Sequence, residues 1–409
     1  MITELNLSSP TSKANPYPAF TRLRNEDPIH SAQLSENRYG WLITRYDDVD
    51  AVLRDPRFVK DSRNALTPEQ IKEQFPWLSQ STDVHGQPSQ LNQNMLGYDP
   101  PDHTRLRTLI NMSFTPRLIE QWRVRIQEIA DELLDEIQDK EQADLIDAFA
   151  FPLPIIVITE LLGIPGEDRL KFRAWSNTII ETAGNPQEFQ KRQEQINDFR
   201  GYLFKIIQAK RGHPSNDLLS QLLQAESEGD KLTEGELVAM VSLLLIAGHE
   251  TTVNLIGNGA LALLLHPDQM EKLQKDPTLL KAAIEEFLRF HGPLMTATQR
   301  WAREDVEING TLIHKGDYVL VVLASANHDP SVFAEADELD ITRHDNHHLA
   351  FGKGIHYCLG APLARLEGQI AIGTLLRRMP ALRLAVDPQD LIWRPGTLIM
   401  GLRTLPVSF

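Results

Sequence analysis

A mainly α-helical fold with a small β region follows from three features of the sequence. Long stretches carry apolar residues three and four apart, alternating segments are few, and no glycine- or proline-rich linker divides the chain. Residues 118–137 set apolar positions at helical spacing among charges, and Leu232-Thr233-Glu234-Gly235-Glu236 offers a threonine cap ahead of an apolar helix over residues 237–265. A further helix is expected over residues 361–379, closed by Pro380. Strand signals are confined to residues 39–44, to residues 306–313, where Asn309-Gly310 between alternating segments predicts a tight hairpin, and to residues 318–323. Between Asp61 and Pro101 the chain is rich in Gln, Ser, Pro and Asn with isolated Phe75, Trp77, Leu91 and Met95, the composition of a long irregular loop acting as a lid.

With 409 residues, 42% of them hydrophobic, the chain can bury a large core, and its 25 prolines and 23 glycines are spread evenly, so one domain over residues 1–409 is expected. A net charge of −15 disfavours nucleic acid, whose phosphates are held by clustered Lys and Arg. The first ten residues lack a basic start followed by an apolar stretch, and the longest apolar run, residues 149–158, is broken by Pro152 and Pro154. Neither secretion nor membrane spanning is expected. One cysteine permits no internal disulfide, which suits a cytoplasmic protein and raises the question of what the thiol does.

Cys358 lies in Phe351-Gly352-Lys353-Gly354-Ile355-His356-Tyr357-Cys358-Leu359-Gly360, directly before the predicted helix. Backbone N–H groups and the helix dipole there favour a thiolate, and the glycines let a flat ligand approach the backbone. That arrangement suits an iron-ligating thiolate. An isolated cysteine is more often a small buried hydrophobe, and a glycine-rich turn before a helix can cradle a phosphate instead. A nucleophile would need a partner base that the sequence does not place, and zinc would need further Cys or His ligands.

In the middle of the long apolar helix stand Ala247-Gly248-His249-Glu250-Thr251-Thr252. Glycine costs about 1 kcal/mol relative to alanine in a helix interior, and a buried carboxylate needs partners. One reading is a helix opened locally so that dioxygen sits in the gap and receives protons. The other is a kink whose threonines bond back to carbonyls while Glu250 and His249 join a structural network; on these residues alone the two stand level. Glu286 and Arg289, three apart, share a helix face and can pair. His103 and Arg107, four apart after Pro100-Pro101, also share a face.

The Phe, Gly, Gly, His, Cys, Leu and Gly offsets around Cys358 resemble the haem-binding segment of the cytochrome P450 family, and the resemblance extends over nearly the whole chain. It implies the family's fold, a triangular prism of long helices around a buried haem b with a small β region. Cys358 is then the axial iron ligand, with Phe351 near its sulfur, Gly352 and Gly360 flanking it, and Ala247 and Gly248 against the haem. Thr251 becomes a hydroxyl donor to oxygen and Glu250 the proton-relay acid, where many relatives carry Asp; His249 becomes a neighbour rather than a participant. His103, Arg107, Arg300 and His356 match propionate contacts, and Arg343 joins Glu286 and Arg289 as a brace for the haem-binding loop.

The activity so implied is a monooxygenase that inserts one atom of O2 into a C–H bond or alkene. No second nucleotide fingerprint or cysteine cluster is present, so a separate ferredoxin and ferredoxin reductase are expected as electron donors, and Arg365 is a docking residue for the ferredoxin. A peroxide-driven peroxygenase and a non-catalytic haem- or ligand-binding module are the rival readings. Leu243, Leu294, Met295 and Ile399 are pocket positions, all apolar, pointing to a hydrophobic small-molecule substrate.

Overall fold

The computed structural model describes residues 9–35, 38–74, 93–180, 186–227 and 230–409. The chain divides into two compact units, one made of residues 1–58, 120–154 and 251–409, the other of residues 59–119 and 155–250.

The first unit carries the sheet. Four of the strands of a five-stranded sheet run in the order Ile29–Ser35, Arg38–Ile43, Tyr318–Val321, Arg300–Ala302. Arg38–Ile43 pairs antiparallel with Ile29–Ser35 and parallel with Tyr318–Val321, with Trp41 opposite Val319. Ile29, Ile43, Val49, Val52, Val319 and Val321 form its core. The sequence signals located the second and third of these strands, but the third stops at Val321, because Leu323–Ala326 turns into a short helix. The hairpin is present as Val306–Ile308 and Thr311–Ile313. Its turn has φ of 48° at Asn309 and 82° at Gly310, the left-handed pair that a two-residue hairpin turn demands.

Residues 118–137, expected as one helix, form two. Pro116–Glu120 opens on a proline behind Thr115, whose Oγ1 accepts from the Leu118 N–H at 3.3 Å, and Arg123–Asp135 follows after a turn at Gln121 and Trp122. The helix Ala361–Arg378 ends ahead of Pro380 as expected. A Cβ at Gly368 would stand 3.1 Å from Leu255 Cδ2 and 3.3 Å from Ile284 Cδ1, so this glycine permits close approach of three helices.

The second unit contains Asp102–Ser113, Arg169–Ile180 and Pro186–Gly212, the last two joined by an aromatic cluster of Phe172, Trp175, Phe199 and Tyr202. The segment expected as an irregular lid is partly helical, at Ser62–Asn64 and Pro68–Gln74. Asp99 ties its ends together, accepting from the N–H groups of Lys60 at 2.8 Å and Asp61 at 3.0 Å and from Asn64 Nδ2 at 2.8 Å. Met95 is buried, whereas Phe75, Trp77 and Leu91 lie outside the described residues.

The helix Glu234–Leu265 contributes to both units and runs unbroken through Gly248 and Thr252, so the expected local opening is not a break in the helix. Thr233 Oγ1 accepts from the Glu236 N–H at 3.3 Å while Glu236 Oε2 accepts from the Thr233 N–H at 2.8 Å, a reciprocal cap that starts the helix three residues before the apolar run. It is long and apolar enough to cross a membrane, but most of its apolar window is buried inside the protein, as in a core helix. The run around Pro152 and Pro154 is likewise helical: a π-helical turn at Ile146–Ala150 leads into Pro152–Leu162, where prolines in the first turn sacrifice no helical hydrogen bond.

Candidate active site

The loop that carries Cys358 is folded by its own backbone. The Cys358 N–H donates to the Phe351 carbonyl at 3.0 Å, the Gly352 N–H to Leu349 at 2.8 Å, and the Tyr357 N–H to Gly354 at 3.1 Å. Gly352 and Gly354 have φ of 68° and 69°, a region costly for any side chain. A Cβ at Gly354 would fall 2.7 Å from the Leu53 carbonyl oxygen, so the loop abuts the chain there; at Gly352 it would meet no atom within 4 Å. Three residues after the cysteine, the helix Ala361–Arg378 begins with its amide ends towards the loop. Half-buried Cys358 is thus fixed in position by backbone, beside a glycine that leaves space at its Cα.

On the long helix, Glu250 is 2% exposed and its Oε1 accepts from Ser176 Oγ at 3.4 Å. Buried His249 sends Nδ1 to the Leu245 carbonyl at 2.6 Å and places Nε2 3.9 Å from Glu250 Oε1. Ser176, on Arg169–Ile180, was invisible to sequence reasoning, because nothing local marks one serine among many as facing a carboxylate in another helix. Leu243, Ala247 and Thr251, spaced by four, make a partly accessible stripe on a mostly buried helix, flanked by Ile246 and Gly248, which are also partly accessible.

The expected propionate partners are placed as follows. His103 and Arg107 stand on one face of Asp102–Ser113; burial and then the Arg107 charge lower the His103 pKa, so the imidazole is neutral near pH 7. Arg105, between them, belongs instead to Glu236 and, at 3.5 Å, to Asp230. Arg300 is buried in its strand with Nη1 on the Thr298 carbonyl at 3.2 Å, and His356 is half-buried in the cysteine loop. Of the pocket positions, Leu294 and Ile399 meet as an isolated antiparallel bridge, and Met295, fully buried, donates its N–H to Leu398 at 2.9 Å.

Glu286, Arg289 and Arg343 meet in one fully connected group. Arg289 donates to both Glu286 oxygens at 2.7 and 2.8 Å and Arg343 Nε to Oε2 at 3.1 Å, while Asn346 Nδ2 and the Asp340 N–H also bind Glu286, both at 3.0 Å. Arg289 spends its remaining donors on the carbonyls of Asn327, Ala336 and Glu338. Both side chains are inaccessible to solvent. Glu286→Ala would strand a buried guanidinium, and the expected loss of stability is roughly 3–5 kcal/mol, read as a shift in the urea midpoint.

Arg365 corrects a sequence expectation. It is not a free surface charge awaiting a partner: Nε and Nη2 bind Glu285 at 2.7 and 2.8 Å, and its guanidinium lies 4.5 Å over the Phe351 ring. Burial would raise the Glu285 pKa, but hydrogen bonds from Arg365 and His348 outweigh it and hold the carboxyl down to about 2.

Glu367, on the helix after the cysteine, is fully buried, and neither carboxylate oxygen has a hydrogen-bond partner among the described residues. Burial pushes its pKa far up, so the native chain holds it as a neutral acid. The raised pKa gives stability that is full below the ordinary value of 4.5 and is lost as pH rises above it. Glu367→Gln should therefore gain stability relative to the parent between pH 5 and pH 8, seen by comparing urea midpoints at the two pH values; a gap independent of pH would sink this reading.

Among the described residues no group of three or more His, Cys, Asp or Glu could hold a metal ion. A lone thiolate can hold iron only if the rest of the coordination shell comes with the group, as it does from a porphyrin. The lone thiol at a helix start and the bare Cα of Gly352 in the same loop fit a haem.

The cytochrome P450 family model matches residues 13–395. The chain belongs to that family and is a P450 monooxygenase, one of the haem-iron oxidoreductases. Among curated relatives, the polyketide biosynthesis cytochrome P450 PksS of Bacillus subtilis strain 168 is 45% identical over 96% of each chain. Among solved structures, the myxobacterial cytochrome P450 CYP267B1 in complex with myristic acid aligns with a TM-score of 0.92 at 43% identity, covering 98% of both chains. P450BioI in complex with an acyl carrier protein bearing hexadec-9-enoic acid aligns at 0.86 and 40% identity, covering 97% of this chain and 99% of that one.

Proposed function

We propose that this P450 binds haem b through Cys358 and hydroxylates or epoxidises a long, mainly hydrophobic acyl or polyketide chain in the bacterial cytoplasm, taking electrons from a separate ferredoxin and its reductase. The observation that carries the reading is the Cys358 loop, closed on Phe351 and set at the start of a helix. When bound, the haem supplies the redox chemistry that activates dioxygen, and a thiolate on the iron favours O–O cleavage. His103, Arg107, Arg300 and His356 offer the cationic and hydrogen-bonding groups that two propionates need. Gly352, Gly360, Ala247 and Gly248 are small enough to let a flat ring approach. Glu250 places a carboxyl on the buried side of the long helix, against Ser176, and Thr251 offers a hydroxyl on its partly accessible stripe. Leu243, Leu294, Met295 and Ile399 supply apolar surface.

Relatives with a polyketide pathway in their name or a fatty acid in their structure support the substrate class. The test begins with the dithionite-reduced protein under carbon monoxide, where a strongly red-shifted Soret band is expected. Titration with myristic acid should then shift the spin state, and turnover should need a ferredoxin, its reductase and reduced nicotinamide. Equal turnover with hydrogen peroxide alone would favour a peroxygenase; haem without the red shift would remove Cys358 as ligand.

A further inference from the structure

We propose that the Glu285–Arg365 pair is a positioning device for the iron-ligating loop: it clamps Phe351 and Tyr357 around Cys358, and the balance of its two charges sets the reduction potential of the bound haem. The inference rests on Cys358 being the axial ligand and goes beyond it.

Arg365 lies seven residues after the cysteine, about one turn into the helix Ala361–Arg378, and Glu285 is on Leu280–Phe290. The two make a bidentate pair, the planar geometry that only arginine offers a carboxylate. A third member fixes the carboxylate. The Ala350 N–H donates to His348 Nδ1 at 3.2 Å, so the ring proton is on Nε2, which reaches Glu285 Oε2 at 3.0 Å. The guanidinium covers Phe351 at 4.5 Å from the ring centroid, and Nη1 reaches the Tyr357 hydroxyl at 3.4 Å. Phe351 accepts the backbone hydrogen bond of Cys358, and Tyr357 precedes it in the chain. The contacts of the pair named here thus fall on residues 348–357, which lead into Cys358, and the helix Leu280–Phe290 that supplies Glu285 also carries Glu286 and Arg289 of the brace.

The electrostatic consequence has a sign. Reduction of a thiolate-bound ferric haem adds one negative charge to the site, so a nearby cation favours the reduced form and a nearby anion the oxidised form. In the native pair the two effects oppose one another. Glu285→Gln leaves the Arg365 charge unbalanced, and Arg365→Gln leaves the Glu285 charge unbalanced.

The experiment is a spectroelectrochemical titration of the haem-loaded protein and its variants, together with the reduced carbon monoxide spectrum. At the midpoint potential of the parent, Glu285→Gln should shift the ferrous-to-ferric ratio several-fold upward and Arg365→Gln several-fold downward. The double variant should return close to the parent ratio although it lacks the ion pair, and Arg365→Lys, which keeps the charge, should stay near it too. A purely structural pair would lower stability in all the glutamine variants without opposite shifts. Shifts of the same sign, or none, overturn the proposal. Should neither single variant retain haem, the double variant decides: haem retention at the parent potential supports charge balance, and failure to load refutes it. Absence of the thiolate signature in the parent itself would instead refute the ligand assignment, which keeps the two failures apart.

Discussion

Replacing Cys358 with serine is expected to abolish the red-shifted Soret band of the reduced carbon monoxide complex and to reduce turnover to background, the largest effect any single substitution should produce. The cysteine is the sole thiol of the chain. It stands where backbone and helix dipole favour the anion. A serine hydroxyl in the same place is far less acidic than a thiol and does not supply the electron release of a thiolate. The fold is expected to persist, because the loop is closed by backbone hydrogen bonds at Phe351, Leu349 and Gly354 that the substitution leaves intact. Haem content by pyridine haemochrome and circular dichroism would show whether protein and cofactor survive while the thiolate signature is lost. A retained red shift in Cys358→Ser would place the iron ligand elsewhere.

Much of this site was legible because the chemistry constrains residue type at short range. The glycine-bearing loop before a helix that holds Cys358 is read within ten residues, and the Asn309-Gly310 turn declares its backbone through the two residues able to adopt it. Pairs three or four apart, such as Glu286 with Arg289, follow from helical geometry. What escaped were contacts between helices distant in sequence. Ser176 with Glu250 and Glu285 with Arg365 have separations of 74 and 80 residues, and no periodicity specifies which polar side chain on one helix meets which on another. Arg365 shows the cost: its spacing from the cysteine suggested a surface docking charge, whereas its partner lies on a helix the spacing does not address. The single helix expected over residues 118–137 is interrupted by a turn at Gln121 and Trp122 that the apolar spacing does not announce, and Pro116 behind Thr115 begins its first piece earlier than that spacing does.

Thr251→Ala and Glu250→Gln should fail in different ways, and the difference follows from where the long helix places them. Thr251 belongs to the accessible stripe with Leu243 and Ala247, whereas Glu250 is turned into the protein against Ser176 and His249. A hydroxyl on the stripe can donate a hydrogen bond to a bound group directly; a buried carboxyl can only replenish that proton. Removing the hydroxyl should leave electron consumption largely intact while product per electron falls by about tenfold to a hundredfold and hydrogen peroxide rises in proportion. Removing the acid should instead slow electron consumption and product formation together, by about a hundredfold, with a larger solvent isotope effect and little change in the ratio between them. Glu250→Asp keeps the acid but shortens its reach, so it should recover part of the rate, and Ser176→Ala should cost less than either because it removes only one hydrogen bond to the carboxyl. Parallel measurement of nicotinamide oxidation, product and peroxide for the four variants separates the roles. Coupled turnover in Thr251→Ala would show that the stripe hydroxyl is dispensable, and uncoupling in Glu250→Gln equal to that of Thr251→Ala would show that the two side chains act as one donor rather than in series.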